Sequence, residues 1–160
     1  MHNITLDLID IRLLDALQRQ GRLTNAELAE EIGLSPSQCS RRRMALEEAG
    51  VIGGYAALLS APALGLGMTV FVEVTLHAHS ETRARAFSRL IERLDAVQEA
   101  FALTGDVDYL LKLAVPDLAA LSHILNNVLL AHESVARIRS AIVLERLKQT
   151  TRLPLDHLTP

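Results

Sequence analysis

The sequence predicts an α+β protein of two parts, a winged helix-turn-helix domain at the N-terminus and a ferredoxin-like βαββαβ domain behind it. Three observations carry this. Two capping-box spacings, Thr24 to Glu27 and Ser35 to Gln38, stand on either side of Gly33. Strict apolar alternation starts at residue 68 and is followed by segments that switch between helical and strand periods. Pro62, Gly65 and Gly67 break the chain between these two regions.

Taken in order, Leu6, Ile9, Leu13, Leu14 and Leu17 recur at helical spacing, which predicts a helix over residues 7–20 stopped by Gly21. Thr24 opens a short helix with Ala26, Leu28, Ala29 and Ile32 on one side, and Gly33 ends it. Ser35 then caps the next helix through its hydroxyl. Pro36 suits the first helical position, where a missing N–H costs nothing, and Gln38 sits where its side chain reaches back to the cap. Two capped helices joined by a tight turn form a helix-turn-helix, whose second helix enters the major groove while the first crosses the DNA backbone. Residues 51–59, rich in β formers around Gly53-Gly54, predict a small wing or a strand leaving the domain.

In residues 68–79, Val70, Val72, Val74 and Leu76 alternate with Phe71, Glu73, Thr75 and His77, a strand pattern. A helix over 81–94 follows from Ala84, Phe87, Leu90, Ile91 and Leu94. Strands are expected at 97–104 and 108–115, a helix from Pro116-Asp117 to about 130, and a last strand holding Ile138, Ile142, Val143 and Leu144. The domains are therefore placed at 1–60 and 61–160. An antiparallel sheet with both helices on one face leaves an apolar face in need of cover, so self-association is expected.

Composition sets the class. The chain has 160 residues of which 49% are hydrophobic, enough for two small cores. No apolar run approaches the roughly 18 residues that span a bilayer, and Met1-His2-Asn3 does not open a secretory leader, so no membrane partner and a cytoplasmic location are expected. The lone Cys39 has no intrachain disulfide partner and reads as a small buried hydrophobe rather than a redox switch. Net charge is −3, and residues 1–60 hold six arginines against eight carboxylates, a balance of −2. Any affinity for nucleic acid must therefore come from local focusing, for which the cluster Arg41-Arg42-Arg43 is the candidate.

Counting about 100° per residue along the second helix, Cys39, Leu46 and Gly50 share one side. Ser37, Arg41, Met44 and Ala45 fall opposite, with Gln38 and Ser40 at the flanks. The outer side is the one to meet base edges. Arg41 suits a guanine, Gln38 an adenine and Met44 a thymine methyl, while Arg42 is placed to anchor a phosphate. The plainer alternative is that Gln38 only completes its capping box and Arg42 only pairs with an internal carboxylate. In the second domain, Gly105-Asp106-Val107-Asp108 reads first as a hairpin turn.

These residues carry a resemblance. Leu6–Asp10, Gly21–Leu28, Gly33–Cys39, Leu46–Ile52, Thr104–Lys112 and Leu153–Leu155 follow, in order, the pattern of the Lrp/AsnC (feast/famine) transcription regulators. The resemblance implies a sequence-specific DNA-binding regulator, not an enzyme, with double-stranded DNA and a small effector, an amino acid, as partners. It also implies a homodimer that assembles further to a tetramer or octamer. Carried over by position, it places the effector at Gly105, Asp106 and Asp108, with Leu118 and with Ser140, Ala141 and Ile142, in a pocket between dimers. There a carboxylate suits an α-ammonium and turn N–H groups suit a carboxylate. Of the two aspartates, Asp108 is expected to meet the ammonium and Asp106 to hold the turn. The chain departs from the family at Arg43, where an apolar residue is usual, and at Ile138, Ser140 and Ala141, where Thr and Ser are common. Arg43 is expected to snorkel toward a phosphate or an acidic neighbour, with two alternatives open: the helix packs slightly rotated, using Met44, or Arg43 contributes to specificity.

Two other functions fit the same plan: an enzyme of the sirohaem decarboxylase kind, and a ligand-binding oligomer without DNA binding. No nucleophile motif, phosphate loop or paired catalytic carboxylate points to the first, and no cofactor is implied. His77 with His79, and His123 with His132, lack the further ligands a metal site needs.

Overall fold

The computed structural model describes residues 5–77 and 80–158, which form two compact units. The first begins with α1 (Leu8–Arg19), α2 (Asn25–Ile32) and α3 (Pro36–Glu48). Each helix starts at a capping box. Asp7 and Asp10 cap α1 reciprocally, Thr24 and Glu27 cap α2, and Ser35 and Gln38 cap α3, so orphan N–H groups at every start find an acceptor. Gly33 ends α2 at φ 76°, a left-handed conformation that favours glycine, which makes the turn into α3 possible. Leu13, Leu14, Ala16, Leu17, Leu23, Leu28, Ala29, Cys39 and Leu46 form the core between the three helices.

Two expectations for this unit are corrected. No strand forms over 51–59, so the wing has no ladder. The boundary placed at residue 60 falls at Leu58, and residues 148–158 belong to the first unit rather than to the second. Leu155 packs against the helical core, Gln18 exchanges two hydrogen bonds with the backbone of Leu153 (2.6 and 3.2 Å), and Arg152 pairs with Asp15 at 2.8 Å. An apolar side chain seeking cover, with its backbone satisfied by an amide side chain, is what recruits the segment.

The second unit spans residues 59–147. It contains β1 (Met68–Leu76), α4 (Glu81–Glu92), β2 (Val97–Ala102), β3 (Tyr109–Val115), α5 (Leu118–His123) and β4 (Val135–Ile142). The order is βαββαβ, and the antiparallel sheet runs β2-β3-β1-β4. Val70, Val72, Val74, Leu111, Leu113 and Val115 on one face of the sheet are buried with Phe87 of α4 and Leu121, Ile124 and Leu129 from the second helical segment. Phe87 is wholly enclosed and lies 4.9 Å from the Tyr109 ring, a burial of about 2–3 kcal/mol.

Several boundaries differ from the sequence pattern: β1 ends at Leu76 and β2 at Ala102, short of the expected 79 and 104, and β3 starts at Tyr109. Helix α4 stops at Glu92 with Arg93 as its cap. The helix expected to reach residue 130 widens to a π-helical stretch over Ile124–Leu129, where Asn126 donates its side-chain amide to the Ser122 carbonyl at 3.0 Å and so competes for an acceptor of the regular ladder. Strand β4 ends at Ile142. Val143 still donates to Thr69 at 2.9 Å, but Leu144 is 99% exposed and lies beyond the sheet. Among the expected histidines, His79 lies outside the described residues, and His132 is half-buried, accepts from the Ser134 N–H and stands T-shaped to the Phe87 ring at 6.3 Å.

Candidate functional site

Helix α3 buries only Cys39 and Leu46, the side that its period indicates. Burial also raises the Cys39 thiol pKa, as expected for a small hydrophobe. On the far side Ser37, Ser40, Arg41, Met44, Ala45 and Glu48 line one shallow depression, and Met44 is 54% exposed. Gln38 is occupied with the cap. Its Oε1 accepts the Ser35 N–H at 3.0 Å and the Ser35 hydroxyl at 2.9 Å, which leaves the side-chain NH2 as its donor to any partner.

The three arginines diverge. Arg41 is exposed on the outer face. Arg42 turns inward, the plainer of the two alternatives for that residue. Its Nη1 lies 2.7 Å from Asp10 Oδ1 and 2.8 Å from Asp7 Oδ2. The two carboxylates are held together by the α1 capping box, and one guanidinium offsets the repulsion between them. The Asp10 N–H and Arg42 together hold the Asp7 carboxyl below its ordinary value, and the two aspartates raise Arg42.

Arg43 does snorkel. Its Nε donates to the Tyr55 hydroxyl at 2.8 Å and to Glu47 at 3.2 Å, its Nη1 donates to the Leu23 carbonyl at 3.3 Å, and the guanidinium lies 4.4 Å from the Tyr55 ring centre. Tyr55 in turn donates to Glu47 at 2.9 Å, and burial leads the causes that raise its pKa. The recognition helix is thus clamped from two sides by its own arginines. Asp7, Asp10, Glu47, Glu48 and Tyr55 are not singled out by the sequence pattern, and the Asp7-Leu-Ile-Asp10 spacing is the one available signal among them.

In the second unit the turn after β2 holds Gly105 at φ 131°, where a side chain would be strained. Asp108 is built into the sheet. Its Oδ2 accepts the Leu76 N–H at 2.7 Å, its N–H donates to the Val74 carbonyl, and its carbonyl accepts from Leu103. Asp106 is exposed at the tip. Asp108 thus does the holding that was expected of Asp106. Leu118 is 63% exposed at the start of α5, behind the cap made by Asp117. Ser140 and Ile142 lie opposite Val72 and Val70 on the helix-bearing face of edge strand β4, and Ala141 lies opposite Phe71 on the open face.

These nominees do not meet in one chain. The turn Gly105–Asp108 sits beside Tyr109, which pairs with Val74, whereas Leu118 follows Val115, which pairs with Met68 at the other end of the sheet. Six strand residues, about 20 Å, separate the two ends.

The sequence matches the family described as Lrp/AsnC ligand binding domain over residues 69–153 and that described as winged helix-turn-helix DNA-binding over residues 6–52. The chain belongs to the Lrp/AsnC family. It is 40% identical over 148 residues to the leucine-responsive regulatory protein of Escherichia coli strain K12, covering 92% of this chain and 90% of that protein. The structure of a Neisseria meningitidis transcriptional regulator in complex with L-Met superposes with a TM-score of 0.93 at 43% identity, covering 97% of this chain and all of that one. An AsnC family regulator from Agrobacterium tumefaciens gives 0.89 at 36% identity over 96% of this chain and 100% of that one. This Lrp/AsnC protein is a DNA-binding transcription regulator modulated by a small effector. Among the described residues no helix is long and apolar enough to cross a membrane.

Proposed function

We propose that this regulator reads operator DNA with Ser37, Ser40, Arg41 and Met44 of α3, and that an amino acid is its effector. The observation that carries the first part is the outer face of α3, where Arg41 stands exposed while Arg42 and Arg43 are committed to the fold. Gln38 joins through its free NH2 only. Support for the second part comes from the relative bound to L-Met and from the exposed carboxylate of Asp106 beside the Gly105 turn, which suits an ammonium. Gly105, Leu118, Ser140, Ala141 and Ile142 complete the proposed contacts, and Asp108 serves by holding the turn in place.

The protein acts as a homodimer assembling to tetramers or octamers, in the cytoplasm, without catalytic activity. Exposed Phe71 and Phe101 on the open sheet face supply apolar surface for association. A gel shift on the chain's own upstream DNA at several salt concentrations tests the first part, and calorimetric titration of an amino-acid panel including L-Met and L-Leu tests the second. Absence of a sequence-preferring shift overturns the DNA reading; absence of heat from every amino acid overturns the effector reading.

A further inference from the structure

Helix α4 carries a feature that the regulator function leaves unused. Phe87, Leu90 and Ile91 of α4, with Leu94 after it, pack on the sheet, so the opposite side faces solvent. Arg85, Arg89 and Arg93 occupy that side at successive intervals of four residues, a row about 12 Å long. Half of the eight basic residues in 59–147 lie between positions 83 and 93, in a segment that also holds ten acidic residues overall. Arg85 has one partner, Glu81, and both side chains are largely exposed, so the pair exchanges readily. Arg83, Arg89 and Arg93 have no carboxylate within salt-bridge distance among the described residues.

Affinity for duplex DNA depends on how many phosphates are neutralised. The recognition helix offers Arg41 alone, because its other two arginines are paired internally, and the chain as a whole is acidic. The remaining positive charge has to come from elsewhere. A row of guanidinium groups about 12 Å long faces about two to three phosphates of one strand. The residues flanking the row, Thr82 and Glu92, include no apolar anchor of the kind a protein interface needs at its centre.

From this we propose that the outward face of α4 is a second contact surface for duplex DNA, where Arg85, Arg89 and Arg93 bind backbone phosphates without reading bases. The proposal rests on the DNA-binding function stated above. It predicts a division of labour: α3 sets sequence preference and α4 adds affinity that salt removes.

The test is the variant Arg85→Gln/Arg89→Gln/Arg93→Gln, which keeps side-chain length and helix propensity. Binding to operator and to unrelated duplex is measured against salt, with circular dichroism and sedimentation as checks on fold and assembly. The slope of log affinity against log salt should become shallower by about 1–3 per protomer, up to about 0.9 for each lost phosphate. The ratio of operator to unrelated binding should stay unchanged. A control, Arg83→Gln, an exposed α4 arginine off the row, should leave the slope near wild type. An unchanged slope in the triple variant overturns the proposal, and so does an equal change in the control, which would mean bulk charge alone. A changed sedimentation pattern would assign the face to a protein contact and also overturns it. If the triple variant misfolds, Arg89→Gln alone should still lower the slope by about 1 or less. Wild type that binds no duplex would instead overturn the DNA-binding reading itself.

Discussion

Replacing Arg42 with Ala separates a structural role from a DNA-contacting one. The guanidinium makes two charge-assisted bonds of 2.7 and 2.8 Å, to Asp10 and Asp7, with side-chain exposures of 29% for Arg42 and 14% for Asp10. A fully exposed pair contributes about 0.2–1 kcal/mol and breaking a buried one costs about 3–5. This pair stands between the limits and closer to the first, because Asp7 is half exposed, so removal should cost about 1–2 kcal/mol. For a unit of this size each kcal/mol lowers Tm by about 4–8 °C. The assay is thermal unfolding of the full chain alongside DNA affinity over a salt series. Asp10→Asn and the double variant close a cycle whose coupling should be about 1 kcal/mol. The structural reading requires a lower Tm with an unchanged salt slope in the folded protein. An unchanged Tm with a slope reduced by about 1 per protomer would refute it and return Arg42 to the phosphates. The Asp7 part also depends on pH. Because its folded pKa lies below the ordinary 3.8, its contribution is present above that value and is lost as pH falls through the lower folded value.

Other outcomes follow from the same geometry. Arg41→Ala should leave Tm unchanged, weaken operator binding by about 1–3 kcal/mol and relax preference at one base position, as read by gel shifts on single-base operator variants. Asp108→Ala should cost about 1–3 kcal/mol in denaturant unfolding, since the Leu76 N–H loses its acceptor. Asp106→Asn should leave stability alone and lower amino-acid affinity in calorimetry; equal affinity would remove Asp106 from the site. Cys39→Ser should destabilise by about 1–3 kcal/mol by enclosing a hydroxyl at a position with no exposure, measured by urea unfolding.

What the sequence revealed and what it hid divide along a physical line. Caps are local: Ser35, Gln38, Thr24 and Glu27 satisfy N–H groups three residues away, so the starts of α2 and α3 were legible from spacing. The buried side of α3 was legible from its period, which put Cys39 and Leu46 inward. The fate of Arg42 was not, because its partners lie 32 residues or more away on α1 and no spacing connects them. Asp108 was misread for the same reason: the N–H it accepts belongs to β1, a neighbour in the sheet and not in sequence. Residues 148–158 looked like part of the second domain by position, whereas the packing of Leu155 decides where they fold. Among three consecutive arginines, then, composition shows one positive cluster, and only the fold shows that two of its charges are already neutralised.

The distance between the proposed effector residues bears on how the second domain works. A free amino acid is far shorter than the roughly 20 Å of sheet that separates the Gly105–Asp108 turn from Leu118. A ligand that touches both sets must therefore touch them on different chains. On that reading the effector binds an assembly rather than a subunit, and its affinity differs between assemblies that bring the two ends together and those that do not. Linkage makes the relation reciprocal: an effector that favours one assembly changes DNA affinity by whatever factor DNA changes effector affinity. On the same reading Asp106 ties effector binding to oligomer distribution, and sedimentation with and without effector should shift in wild type but not in Asp106→Asn.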